Sequence, residues 1–161
     1  MRVFNRQRKV RVARGLLEKR GLLAMPWVLE KKKRPDVPLA ALEMVEVSVV
    51  SDAAIARVHG EFLMIRRPTD VITFDHGEIL VSAETAQENA MRYGQSVDDE
   101  LTLYLIHGLL HLAGWEDHDS VEAAEMARQQ EEVLSRCDRF DFSRKNRLSF
   151  KRCPLDSAPH A

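Results

Sequence analysis

Apolar residues along the chain fall into alternating stretches, helical repeats and one nearly unbroken run, and each predicts a different element. "LEMVEVSVV" (42–50) is rich in β-branched residues with partial alternation and predicts a strand. "PTDVITF" and "GEILVS" predict two further strands joined by "DHG" in a tight hairpin, and "RVFN" (2–5) a short fourth. Val10, Ala13, Leu16, Leu17 and Leu23 recur with a rough helical period, giving a helix over 7–23 with Gly21 near its end. Ser51 or Asp52 can cap a helix over 52–64, and Ser82 one over 83–93 that stops at Gly94. Ser96 and Asp99 resemble a capping box opening a helix over 97–113, with Gly114 as its stop. Asp119 or Ser120 caps a last helix reaching about 135, while "EKKKRPDVPLA" (30–40) is a loop by its prolines and charges. "DELTLYLIHGLLHLAG" is apolar almost all round, so its helix should be central. The order predicts an α+β fold, a small mixed β-sheet covered by helices, with a central apolar helix carrying two histidines. It divides the chain into one domain over 1–135 and a basic, poorly ordered tail over 136–161.

A length of 161 residues suits one domain that folds without disulfides. The two cysteines, Cys137 and Cys153, lie near the C-terminus, which suggests a reducing, cytoplasmic setting. The opening "MRVFNRQRKVRVARGLL" lacks the apolar core of a signal peptide, and no run approaches a membrane span. Charge is unevenly spread. Residues 1–34 carry 12 Lys/Arg and 2 Asp/Glu, residues 35–134 carry 5 and 20, and residues 135–161 carry 7 and 3. Basic ends on an acidic middle suggest a polyanionic partner, or merely ends that solvate and offset that middle.

"IHGLLHLAGWEDHD" (106–119) changes the picture most, because it holds three of the six histidines. His107 and His111 are four apart and therefore share one helix face. Two imidazole nitrogens so placed can meet one Zn²⁺, and His118 can return to it after the turn at Gly114. Three such ligands with a fourth position open describe a catalytic zinc, which lowers the pKa of bound water to about 7. The competing reading makes His107 and His111 core histidines bonded to carbonyls; two of them in an apolar helix, with a third after the glycine, favour metal. In zinc peptidases the pattern H-E-x-x-H keeps a general base after the first histidine, whereas here the position is Gly108. Glu116 and Asp117 are the nearest replacement carboxylates, as bases, as turn residues, or, for Asp117, as a partner that orients a ligand.

These residues resemble a known family. "HGLLHLAGWEDH" is similar to the H-G-x-L-H-L-x-G-x-D-H signature of the YbeY endoribonucleases. "RPTDVITF" (67–74) and "GEILVSAETA" (77–86) resemble two further family segments in the same order, and Met126 matches a frequent methionine. The resemblance implies a zinc-binding α+β fold, cleavage of single-stranded RNA, and a role in ribosomal RNA maturation and ribosome quality control. It also implies that His107, His111 and His118 bind the metal. Two departures matter. "WED" replaces a two-residue "x-D", so Asp117 stands as the substitute third ligand, a carboxylate being able to bind zinc too. Leu63 occupies the place of an arginine common in the family; Arg66 or Arg67 could supply that charge, and Arg67 joins Asp117 as a candidate catalytic residue.

Other features carry paired readings. Trp115 could stack on a base or fix the turn, and "EKKKR" could contact phosphates or form a solvated loop. Asp70 could orient groups near a cleft but reads better as part of a turn feeding a strand, and His59 and His76 read as surface residues. The sequence therefore points to a metal-dependent endoribonuclease holding one Zn²⁺ per chain and acting on RNA, ribosomal RNA or the ribosome. A zinc peptidase or amidohydrolase is the runner-up, and a ribosome-associated binding protein with a structural metal is the third reading.

Overall fold

The computed structural model describes residues 1–140. Four strands, β1 (Arg2–Asn5), β2 (Glu46–Val50), β3 (Val71–Phe74) and β4 (Glu78–Ser82), form one sheet in the order β1-β2-β4-β3. The first two pairings are parallel and the β3–β4 hairpin is antiparallel, so the sheet is mixed, as the sequence predicts. Six helices accompany it: α1 (Arg14–Glu30), α2 (Pro38–Ala41), α3 (Asp52–Leu63), α4 (Ala83–Tyr93), α5 (Val97–Leu112) and α6 (Ser120–Phe140).

Strand alternation divides the interior in two. Val3, Val47, Val49, Val71, Ile79 and Val81 face the large core with α1, α5 and α6, while Val50, Ile72 and Leu80 face Ile55 of α3. The buried face of α5 is almost its whole circumference, because α1, α4, α6 and strands β3 and β4 all pack around it. No described helix is long and apolar enough to cross a membrane.

Local signals hold where they concern a few neighbouring residues. Ser51, Ser82 and Ser96 each accept from the backbone N–H three residues on, and Asp119 accepts from Val121 and Glu122. Gly94 and Gly114 close their helices with positive φ.

Pro38–Ala41 form the short helix α2 at the end of the expected loop over 30–40, β2 begins at Glu46 and not at 42, and three helix boundaries differ. The expected 7–23 helix begins only at Arg14, because the Gln7 side chain builds a turn instead: it donates to Val10 O and accepts from the N–H groups of Lys9 and Val10. The helix then continues past Gly21, with Pro26 inside it, to Glu30. The last helix runs to Phe140, five residues beyond the expected end, and most of the expected tail, residues 141–161, lies outside the described residues.

Candidate metal centre

The end of α5 forms a Schellman motif in which Trp115 N–H donates to Leu110 O and Gly114 N–H to His111 O. Gly114 sits at φ 85°, and a Cβ there would lie 2.9 Å from Val37 Cγ1, so the turn also presses against the loop after α1. Trp115 fixes that turn: its Nε1 donates to Lys31 O, and Lys33 Nζ stands 4.3 Å over its ring. Trp115 is buried, which supports the packing role over base stacking.

This turn carries Asp117 back to the two histidines. His107 and His111 bring their Nε2 atoms to 3.0 Å from each other. Asp117 Oδ2 lies 3.5 Å from His107 Nε2, and Oδ1 lies 3.8 Å from His111 Nε2. Each ring's other nitrogen meets an acceptor, Gln130 Oε1 at 3.3 Å for His107 and Trp115 O at 3.0 Å for His111. A carbonyl can only accept, so His111 holds a proton on Nδ1, and in that neutral tautomer Nε2 is a lone pair. The site is sheltered, with the His107, His111 and Asp117 side chains 2%, 16% and 7% exposed.

The donor set fits a metal ion. Ligand atoms about 2.0–2.1 Å from a tetrahedral Zn²⁺ stand roughly 3.3–3.4 Å from one another, and the distances here bracket that value. One atom from each of His107, His111 and Asp117 falls within 4.8 Å of the other two. Nitrogen and carboxylate donors suit zinc, and acceptors behind each imidazole are what metal-bound histidines use for orientation.

His118 is not brought to the cluster. Its side chain is 58% exposed, with Nε2 3.2 Å from Glu116 Oε2. The added residue in "WED" explains the exchange: once Trp115 is anchored to Lys31 O, Asp117 rather than its neighbour reaches inward. Arg67 is exposed on the loop between α3 and β3, and its carbonyl lies 2.9 Å from His59 Nδ1. His59 is correspondingly buried, not on the surface as the sequence suggested. Asp70 does form the expected turn, its Oδ1 accepting from Val71 N–H and Thr69 Oγ1.

Gln130 was not anticipated from the sequence. Its signal was available: Met126, Gln129, Gln130, Val133, Leu134 and Cys137 share one buried stripe of α6, and two amides stand among its apolar residues.

The basic run after α1 lies beside this turn but is largely committed. Lys33 N–H donates to Ala113 O. Lys31 Nζ lies 2.6 Å from Glu132 and holds that carboxyl below its usual range. Lys33 Nζ is 3.9 Å from Glu125, and Arg34 Nε is 3.7 Å from Asp36.

A groove of about 400 Å³ opens from the cluster, lined by His111, Glu116, Thr73, Phe74, Phe62 and neighbouring residues. Gly108 explains part of its shape, since a Cβ there would meet Ile79 Cγ2 at 2.9 Å and Thr73 Oγ1 at 3.0 Å.

Comparison with known proteins points to one family. A sequence model of the family described as Endoribonuclease YbeY matches residues 3–138. Endoribonuclease YbeY of Desulfitobacterium hafniense (strain Y51) is 33% identical over 109 residues, 56% of this chain and 69% of that protein. The protein of the same description from Synechococcus sp. (strain RCC307) is 30% identical over 128 residues, 70% of this chain and 80% of that protein. The solution structure of a Thermotoga maritima protein matches with a TM-score of 0.57 at 26% identity, covering 94% of this chain and 99% of that one.

Proposed function

The chain belongs to the YbeY endoribonuclease family, and from that premise we propose that it is a zinc-dependent, single-strand-specific endoribonuclease of ribosomal RNA maturation and ribosome quality control, working in the cytoplasm. The observation that carries the metal dependence is the convergence of His107, His111 and Asp117 at the head of a groove. We assign these three as the protein ligands of one Zn²⁺. His118, which the family signature implies, is the alternative third ligand, one residue away on the same turn. When bound, zinc supplies Lewis acidity toward a phosphodiester oxygen and makes nearby water more acidic.

The chain's own groups do the rest. Gln130 Oε1 and Trp115 O hold the two rings so that both Nε2 atoms point at one spot. Leu101, Leu105 and Leu109 of α5 are buried and keep bulk water from the far side of the helix. Glu116 lines the groove and pairs with His118, so this couple is placed to hold or pass a proton at Glu116 Oε2. Arg67 offers positive charge on the loop that leads into β3, a role suited to a phosphate beyond the cleavage point. Peptide hydrolysis lacks support at position 108, where a glutamate would be driven into Ile79 instead of toward the histidines.

The test joins metal content to cleavage. Elemental analysis should find about one zinc per chain, little in the His107/His111 double alanine variant, and a large loss in Asp117→Ala but not in His118→Ala. The reverse order for the last two would make His118 the ligand. Unpaired RNA should be cut by the wild type and spared by His111→Ala prepared in parallel, with perfect duplex and casein left intact. Equal cleavage of RNA by the two preparations would remove the nuclease reading.

A further inference from the structure

Beyond His111 the groove runs over surfaces that the metal centre does not use. β3 is an edge strand. Ser82 N–H donates to Asp70 O and Gly77 N–H to Phe74 O, so residues 70 and 74 turn their carbonyls toward β4 and the β-turn. By the alternation of an antiparallel ladder, the backbone groups of Val71 and Thr73 face outward, into the groove. The Asp70 carboxylate takes the Val71 N–H at 2.9 Å. Thr73 is left with an outward N–H and C=O, and its Oγ1 is buried with no hydrogen-bond partner among the described residues. Oγ1 faces α5, 3.0 Å from where a Cβ on Gly108 would stand, so the backbone pair at the strand edge is what a ligand can reach.

The other wall is aromatic. Phe62, near the end of α3, is 65% exposed and meets Phe74 edge-to-face, with ring centres 5.2 Å apart at 73°. Phe74 in turn lies nearly parallel to His76, 5.4 Å away at 26°. A large aromatic residue exposed to this degree beside a sheltered metal centre calls for a planar partner. The nearby acids Asp75 and Glu116 disfavour a phosphate on this stretch and leave it to an uncharged group. A flat ring system with donors and acceptors on its edge satisfies all three features, and the volume lies within the roughly 300–1,000 Å³ of small-ligand sites.

Resting on the reading of the chain as an RNA-cleaving enzyme, we infer that this groove binds one unpaired nucleobase next to the cleaved phosphate. The base stacks on the exposed face of Phe62, which Phe74 braces edge-to-face, and its edge hydrogen-bonds to the open backbone side of Thr73. Unpaired RNA would then be preferred because a base held in a helix cannot enter.

The experiment walks 2-aminopurine along a short single-stranded RNA and reads its fluorescence by stopped flow, before cleavage. Binding to wild type should quench the signal at one position only. Phe62→Ala should remove that quench and weaken binding by about 5- to 150-fold, the span for losing one stacked base. Phe62→Trp should restore both. Phe62 is largely exposed, so its truncation should leave the unfolding midpoint nearly unchanged, which is measured alongside. A quench at no position, or one that survives Phe62→Ala, overturns the base site. So does saturable binding of an extended peptide that displaces the RNA and is lost in Phe62→Ala, since the open edge of β3 would then be a strand-pairing site. Cleavage by wild type and His107→Ala judges the nuclease reading separately: a Phe62-dependent quench without metal-dependent cleavage keeps the base site and discards the nuclease.

Discussion

Gly108→Ala sets helix propensity against packing at a position beside His107, a proposed metal ligand. By propensity alone, alanine in a helix interior stabilises by about 1 kcal/mol relative to glycine. The structure opposes that gain. The new methyl would stand 2.9 Å from Ile79 Cγ2, 3.0 Å from Thr73 Oγ1 and 3.2 Å from Ile79 Cδ1. Ile79 is fully buried on β4, between β2 and β3, and has nowhere to withdraw. Forcing one methyl into such a core costs about 1–3 kcal/mol, so the net expectation is a loss of about 1 kcal/mol. For a domain of this size that lowers Tm by about 2–4 °C. The larger effect should be on the metal. Helix α5 must move away from the sheet by a few tenths of an ångström, carrying His107 and His111, while Asp117 is held by a turn anchored to Lys31. Zinc titration of Gly108→Ala should therefore show weakened binding beside the modest loss in Tm of the metal-free protein. A variant that is more stable than wild type and binds zinc equally well would refute the packing account. Gly108→Glu, which writes H-E-x-x-H into the chain, should be far less stable and gain no peptidase activity.

Three further outcomes rest on individual side chains. Gln130→Ala should weaken zinc binding by about 10–100-fold with a nearly unchanged helix content, since outer partners of metal-bound histidines have effects of this size; titration giving equal affinities would deny Gln130 that role. Glu100 is fully buried, and burial raises its pKa above the ordinary value. A raised folded-state pKa means that the carboxyl's contribution to stability is complete below the unfolded value, about 4.3, and is lost as pH rises through the folded one. Glu100→Gln should thus gain on wild type between acid and neutral pH, and parallel denaturation midpoints across that window would contradict it. Among the basic residues after α1, Lys32→Ala and Arg34→Ala should flatten the salt dependence of RNA binding by roughly 0.7 for each phosphate no longer neutralised, whereas Lys31→Ala should mainly cost stability through Glu132. An unchanged slope in the first two would make the run a solvated loop.

The sequence by itself determined what depends on a few neighbouring residues. Ser82 and Gly94 bound α4, and Ser96 and Gly114 bound α5, because caps satisfy backbone groups within one helical turn. The convergence of His107 and His111 was legible for the same reason: a spacing of four fixes a shared face whatever the rest of the chain does. The start of α1 was not legible, because the Gln7 amide competes locally for backbone groups that a periodic pattern assigns to a helix.

Only the tertiary structure shows that Asp117, and not the adjacent His118, lies beside the two histidines. The sequence favours His118, with Asp117 as its substitute, on a loop with no period to orient either. The choice is made by Trp115 bonding to Lys31 O, a contact spanning 84 positions. Separation in sequence likewise hides the neutralisation of Lys31 by Glu132, the support of His107 by Gln130, and the open edge of β3 beside the histidines. Side-chain direction in a loop and charge pairing between remote segments are set by packing, and they become fixed only when the helices close around α5.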